Sequence, residues 1–381
     1  MSKRSVRASL VLAMAIAAVG GQARAQEPVQ LPADNTPYGT TAAEFLLFPA
    51  SARGAALGNA FSALVTDVSA VHFNPAGLAL MGHSAVQAST MRYLADTRYT
   101  WVGAGFPMSG GSRALGVSIT TFGFGDQPVY TVADPDGESG ETYSVAETAV
   151  GLTYAQRFSD RFTAGISGKF VNDQLGTVSG RAFAVDFGTM FMATIGGRAI
   201  RAGFTVQNLG TTITHEGTAL NVAVTRDPGD QQDIPQDPAD AQLKSKGWSL
   251  PVTFRMSLAY DLFSQARSRL SLLGEFNQPN NSDPGFNFAG EYNLMASNTV
   301  SLAGRIGYTY SPDNNLDPAG SASADYAGFD TSADGEGMDG FSAGGGLRFG
   351  RAAGFTVGFD YAYRHMGLLG GVNMISIGLT W

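Results

Sequence analysis

The sequence contains no cysteine, which excludes disulfides, thiolate metal centres and a cysteine nucleophile. Charge is scarce as well: Asp, Glu, Lys and Arg make up 15% of the chain, against about 25% in ordinary soluble domains. With 24 Lys+Arg against 32 Asp+Glu and a formal net charge of -8, there is no basic footprint and nucleic acid is not an expected partner. After the first two dozen residues, no apolar run approaches the roughly 20 residues that a spanning helix needs. The histidines His72, His83, His215 and His365 stand far apart, with no spacing suited to a metal or a triad. No nucleophile has a candidate base, so the sequence predicts no catalytic residue, no enzyme, no cofactor and no metal. Asp330 to Glu336 opens like a calcium loop, but an EF-hand begun at Asp330 reaches Phe341 where its bidentate Glu belongs. It reads as a solvated acidic loop.

Glycine, by contrast, is abundant: 49 of 381 residues, near twice the usual share of about 7%. With 10% aromatics, this composition argues for strands, tight turns and close backbone approach rather than disorder.

Three regions follow in order. Residues 1–25 read as a signal peptide: Lys3, Arg4 and Arg7 precede an apolar core from Leu10 to Val19, and Ala23-Arg24-Ala25 supplies the small-x-small cleavage pattern. Residues 26–83 read as a leader and a hatch. Gln26 to Tyr38 is polar and Pro-rich; Thr41 to Phe48 predicts a short helix with Phe45 and Leu46 inward, ended by Pro49. From Gly54 to Met81, small residues alternate with Leu57, Phe61, Leu64 and Val65, as in a piece packed closely against something else. At its centre lies Asn74-Pro75-Ala76-Gly77-Leu78. Asn is a good N-cap and Pro is favoured at the first helical position, so a helical turn is expected from Ala76 to Met81. His72, beside Phe73, reads as a packed hatch residue.

Residues 84–381 form the third region, about fourteen alternating segments of roughly 9–13 residues, from Ser84–Tyr93 to Asn373–Trp381. Large apolar residues alternate with small or polar ones, as in Phe355, Val357, Phe359, Tyr361 and Tyr363. The joins sort by parity. Those after even segments are short, whereas those after odd segments include every long one, Gly123–Tyr143, Leu209–Leu250 and Ser311–Asp339. Outer-membrane barrels have short periplasmic turns and longer external loops on an even number of strands. The fold expected is therefore all-β: a transmembrane antiparallel barrel of about 14 strands, with a small N-terminal helical hatch in its lumen. Tyr93, Tyr99, Trp101, Tyr308, Tyr310, Tyr361 and Tyr363 lie near segment ends, where an interfacial girdle is expected. Ile377, Leu379 and Trp381 close the chain and read as the signal for the barrel assembly machinery.

The same alternation points Glu147, Arg157, Lys169, Asp186, Arg201, Arg255, Glu275, Glu291, Arg305, Arg348 and Asp360 into the lumen. They either anchor the hatch or line a conduction path. A fourteen-strand barrel is too wide for wall side chains alone to fill, and the Gly54–Met81 stretch is the candidate filling.

Three motifs in this order resemble those of the PorV/PorQ outer-membrane proteins: Gly39-Thr40-Thr41-Ala42-Ala43-Glu44-Phe45-Leu46, Ser51 to Ala60, and Phe73-Asn74-Pro75-Ala76-Gly77-Leu78. Gln207-Asn208-Leu209-Gly210, Leu250-Pro251 and Asp360-Tyr361-Ala362-Tyr363 extend the match. These proteins are similar to the fatty acid transporter FadL, a barrel whose hatch carries the same Asn-Pro-Ala turn. The resemblance implies a barrel with a hatch in the outer membrane of a Gram-negative-type bacterium, in contact with its lipid. It also implies a role in type IX secretion, where PorV receives the C-terminal domains of secreted proteins and delivers them for surface attachment. Two functions follow as expectations: docking of secreted proteins at the extracellular rim, or FadL-like passive uptake of hydrophobic small molecules. Met338, Phe341, Met366, Leu368 and Leu369 near the rim serve either.

Overall fold

Period-two sequence becomes a closed wall in the computed structural model, which describes residues 39–132, 134–224, 239–310, 340–350, 354–366 and 370–381. The signal peptide, the acidic loop at 330–336, Met338, Leu368 and Leu369 lie outside the described residues. Fourteen strands build the wall. They are β1 (Ala85–Arg92), β2 (Arg98–Met108), β3 (Arg113–Pro128), β4 (Thr142–Ser159), β5 (Phe162–Leu175), β6 (Val178–Ile195) and β7 (Arg198–Gly210). After the longest described connection come β8 (Thr253–Ser264), β9 (Ser268–Pro279), β10 (Gly285–Met295) and β11 (Val300–Tyr310). The last three are β12 (Phe341–Gly350), β13 (Thr356–His365) and β14 (Gly371–Thr380).

Each strand pairs antiparallel with its chain neighbours, and β14 returns to β1 with Thr380 opposite Ala85, so the sheet has no free edge. The Trp381 N–H donates to the Ser84 carbonyl at 2.9 Å and extends this seam. Closure lets every ladder group pair within the wall, as a bilayer demands. Alternation then sorts the side chains. Val117, Ile119, Leu152, Phe187, Met256, Leu258, Phe288, Ile306, Phe359 and Ile377 are exposed on the outer face and form an apolar belt.

Two expectations about the wall change. Strands β4 and β6 run for 18 residues each, beyond the expected 9–13, because β3 and β4 keep pairing past the belt up to Pro128 and Thr142. The wall therefore stands tallest at β3–β6, at the end that carries the long connections. Tyr99 and Trp101 do not join a girdle. Both face inward, fully buried, where Tyr99 meets Phe48 edge-on with ring centroids 5.6 Å apart. Position near a segment end did not decide their place; parity did.

The segment 44–81 lies inside the ring. Its residues touch β11–β14 through Ala52–Ala56 and β2–β6 through Pro75–Leu80, on opposite sides of the wall. Its helical content is small: turns of four to six residues at Glu44–Leu47, Ala52–Ala56, Ala70–Phe73 and Pro75–Leu80. What compacts it is side-chain packing. Leu57, Phe61, Val65, Phe73 and Leu78 are fully buried, in one cluster with Trp101, Met190 and Met374 of the wall.

Candidate functional site

Hydrogen bonds join hatch and wall at several points, among them Ala52 N–H to Ser376 and Ser342 to the Ala56 carbonyl, and two polar anchors concentrate them. The first starts from Asn74, whose extended backbone (φ -160°) opens the turn Pro75–Leu80. Its Oδ1 accepts from the Ala76 N–H at 3.1 Å, as an N-cap should. Its Nδ2 donates to the Ser62 carbonyl at 2.9 Å and to the Thr189 carbonyl of β6 at 3.1 Å. One side chain thus caps the turn, ties it to the rest of the hatch and fixes both to the wall. The wall yields space for it: a Cβ at Gly188 would collide with Asn74 Oδ1, and one at Gly165 would collide with the Pro75 backbone. Nearby, the Gln207 amide donates to the His72 carbonyl.

The second anchor is ionic. Arg53, in the turn Ala52–Ala56, makes a fork to Glu291 of β10, with Nε–Oε2 at 2.7 Å and Nη2–Oε1 at 2.8 Å. Its Nη1 reaches Asp67 at 2.9 Å, and its guanidinium lies 4.7 Å from the Phe61 ring centroid. Glu291 also accepts from Arg305 Nε at 2.8 Å, and Arg305 Nη1 donates to Asp360 at 2.6 Å. The Arg305–Asp360 bond crosses over Gly346 of β12, where any Cβ would strike the Asp360 carboxylate. Glu291 has no exposed surface and Arg305 is almost as deeply buried. Burial of such charges is costly unless their partners are present, and Arg53 supplies part of that compensation beside Arg305. Burial works against ionisation of Asp67, yet the Arg53 guanidinium and the Ser69 hydroxyl hold its carboxyl below the usual range. Burial also pushes the His72 imidazole well below its ordinary value, with Lys169 and Arg255 adding repulsion.

All eleven charged residues expected in the lumen keep inward parity, but they do not act as one group. Glu291, Arg305 and Asp360 join the Arg53 anchor. Glu275 accepts from the Ser62 backbone N–H at 3.1 Å and lies 3.7 Å from Arg255. Lys169 and Asp186 pair at 2.7 Å, while the Asn208 N–H, at φ 60°, donates to Asp186 at 2.7 Å. Arg201 makes a two-bond fork to Asp261 within the wall, both at 3.0 Å. Arg157 sits at the exposed end of β4 and donates to the Gly111 carbonyl. Glu147 stands at the outer end of the same strand, opposite Asp173. Arg348 lines a cavity of about 80 Å³ with Arg53, Asp67 and Asp360, toward the short-turn end. At the other end, above the hatch, lies a cavity of about 250 Å³ with Phe48, Tyr93, Met366 and Met374 in its wall.

Sequence reasoning missed Arg53 and Asp67, the centre of the second anchor. A signal existed: Arg53 is the one Lys or Arg between residues 44 and 81, and a lone cation among small apolar residues asks for a buried partner. Ile377, Leu379 and Trp381 face outward, at the seam where the ring closes. Among the described residues, no cluster of His, Asp and Glu is arranged to hold a metal.

Comparison with known proteins follows the same lines. The family model for the type IX secretion system protein PorV matches residues 32–225. Among curated proteins, no relative matches by sequence. Solved structures similar to this chain include the Ralstonia pickettii toluene transporter TbuX, at 11% identity and TM-score 0.51, covering 87% of this chain and 97% of that one. The CymD monoaromatic hydrocarbon channel matches at 10% identity and TM-score 0.53, with the same two coverages of 87% and 97%. The Pseudomonas putida toluene transporter TodX matches at 10% identity and TM-score 0.50, over 87% of this chain and 96% of that one. At such identities the likeness is one of fold.

Proposed function

The chain belongs to the PorV family of type IX secretion system proteins, an outer-membrane β-barrel by fold and location, and from this we propose that it docks secreted proteins at its extracellular rim. The observation that carries the reading is the buried anchor Arg53–Glu291–Arg305–Asp360. A lumen held shut by interlocked buried charges is suited to a rigid platform, whereas a conduit needs a filling that yields. The tall outer wall at β3–β6 adds recognition surface where external loops emerge. On this reading the lumen charges anchor the hatch, the protein is not an enzyme, and the barrel assembly machinery inserts it through the outward strand ending at Trp381.

A second reading, passive uptake of hydrophobic small molecules, draws support from the apolar lining of the outer cavity. One preparation separates the two. Purified protein in planar bilayers is expected to show no steady conductance or hydrocarbon transfer, while an affinity-tagged copy in native outer membranes captures secreted proteins through their C-terminal regions. Transfer without capture would overturn docking in favour of uptake.

A further inference from the structure

Charge is divided between the two ends of the wall. At the end with the long connections, the segment joining β3 to β4 carries Asp126, Asp134, Asp136, Glu138 and Glu141 and no Lys or Arg. At the other end the sign reverses. Each of the four consecutive turns from β2–β3 to β8–β9 has an exposed arginine within it or at its edge: Arg113, Arg161, Arg198 and Arg267. Asp160 is the one Asp or Glu in those turns, residues 109–112, 160–161, 196–197 and 265–267. Among the described residues, no carboxylate pairs with any of the four arginines. Two of them point away from the lumen. Ala114 is buried and inward, so Arg113 shares the outer face with the exposed Leu115, Val117 and Ile119. Arg201 is inward, so Arg198 shares the outer face with the exposed Phe204, and its Nη1 donates to the Tyr260 hydroxyl at 3.5 Å. Phe158, Phe162 and Ile195 next to these turns are exposed as well, the two Phe rings with centroids 6.0 Å apart.

We propose that this arc is a binding surface for anionic phospholipid, each guanidinium taking the phosphate of a headgroup in the leaflet at the short-turn, periplasmic end. A guanidinium presents a planar fork of donors that matches phosphate oxygens two at a time. Arginine stems lie along apolar surface while the charge reaches headgroup level. The exposed Leu115, Phe158, Phe162 and Ile195 beside them are the surface that acyl chains cover. A soluble acidic partner beneath the ring would meet Arg161 and Arg267 but leave the outward Arg113 and Arg198 behind the rim. Neighbouring turns are two strands apart, roughly 10 Å, so the arginines engage separate headgroups rather than one phosphate. The arc includes the feet of β3–β6, whose opposite ends rise highest, and lipid held there steadies the tall side of the wall. This inference goes beyond docking and rests only on the orientation of the barrel in its membrane.

The test uses the full chain reconstituted in phosphatidylcholine vesicles, with spin-labelled phosphatidylglycerol or phosphatidylcholine as the probe. Electron spin resonance reads the lipid held at the protein surface. Phosphatidylglycerol is expected to associate about fivefold more strongly than phosphatidylcholine, and about 0.5 M salt to narrow the gap. Combining Arg113→Gln, Arg161→Gln, Arg198→Gln and Arg267→Gln should abolish the difference. None of the four makes an ion pair among the described residues, so the barrel should form; heat-modifiable migration checks this. If the fourfold variant fails to insert, Arg161→Gln with Arg267→Gln, both confined to turns, should still lower the preference. Arg92→Gln with Arg181→Gln, exposed at the opposite end, should leave it unchanged. Equal association of both lipids with the wild type, or a preference that survives the arc variants, overturns the proposal. Binding of polyglutamate by the wild type without any lipid preference would assign the arc to an acidic protein and overturn it too. The docking reading fails separately, by loss of partner capture in wild-type protein, whatever lipid the rim holds.

Discussion

At the scale of single residues, the hatch depends on a few side chains that each satisfy several others. Asn74 is one. Asn74→Ala removes the cap on Ala76 and the ties to Ser62 and Thr189, and cap loss alone costs about 0.5–2 kcal/mol. Faster amide hydrogen exchange is expected across residues 70–80, with wall strands unchanged; unchanged exchange there would show that Pro75 and packing suffice. Glu291 is the other. Glu291→Gln strips charge from a site that holds Arg53 and Arg305, leaving two buried cations short of a partner at a cost of about 3–5 kcal/mol. The folded gel band should then persist only to a lower temperature. An unaltered melting profile would mean that Asp67 and Asp360 compensate.

At the scale of elements, the hatch responds to acid in one direction. His72 titrates well below its ordinary value of 6.5 in the folded protein, so below that value the unfolded segment takes a proton the folded one refuses. Its contribution is complete above pH ~6.5 and is lost as pH falls toward the folded value. Asp67, lowered from 3.8, adds a second loss of the same sign below that value. Proteolysis of the hatch in outer-membrane vesicles should therefore rise between pH 7.5 and 5, and His72→Gln should flatten the rise. Strand β14 poses a different question. Its last residue, Trp381, is outward and bonded across the closing seam. Deleting Trp381 is expected to lower the amount of inserted protein, read as the heat-modifiable fraction in membranes, while leaving the hatch intact in what does insert.

At the scale of the whole molecule, wall and hatch support each other. Closure leaves a lumen too wide for wall side chains to fill, and the hatch segment has too little regular structure to stand alone. Each supplies the other's missing surface: apolar cluster against apolar cluster, Arg53 against Glu291. The barrel should thus migrate as a compact species in cold detergent and shift on boiling. A combined Asn74→Ala and Glu291→Gln variant should keep that shift yet lose more hatch protection than the sum of the single changes, because both sites hold one segment. Strict additivity would mean two independent anchors.

Strand number, antiparallel order, the sorting of loops by end and the inward face of each strand were legible in the sequence, because a wall with lipid on one side imposes a period of two on every segment. The Asn74-Pro75 turn was legible for a local reason: a cap and a fixed φ act within a few residues. Strand length beyond the belt was not legible, since outside the bilayer no apolar face is needed to mark it. Nor was the destination of Tyr99 and Trp101, where two tendencies, aromatic girdle and inward parity, competed and parity prevailed, setting Tyr99 against Phe48 and Trp101 in the buried cluster of the lumen. Above all, the sequence named Glu291, Arg305 and Asp360 as inward charges but could not say that they meet Arg53. That meeting depends on the stagger of β10–β13, on Gly346 leaving room between them, and on where a segment more than 200 residues distant comes to rest. Coulomb attraction acts on distance in space, and only the closed tertiary structure sets that distance.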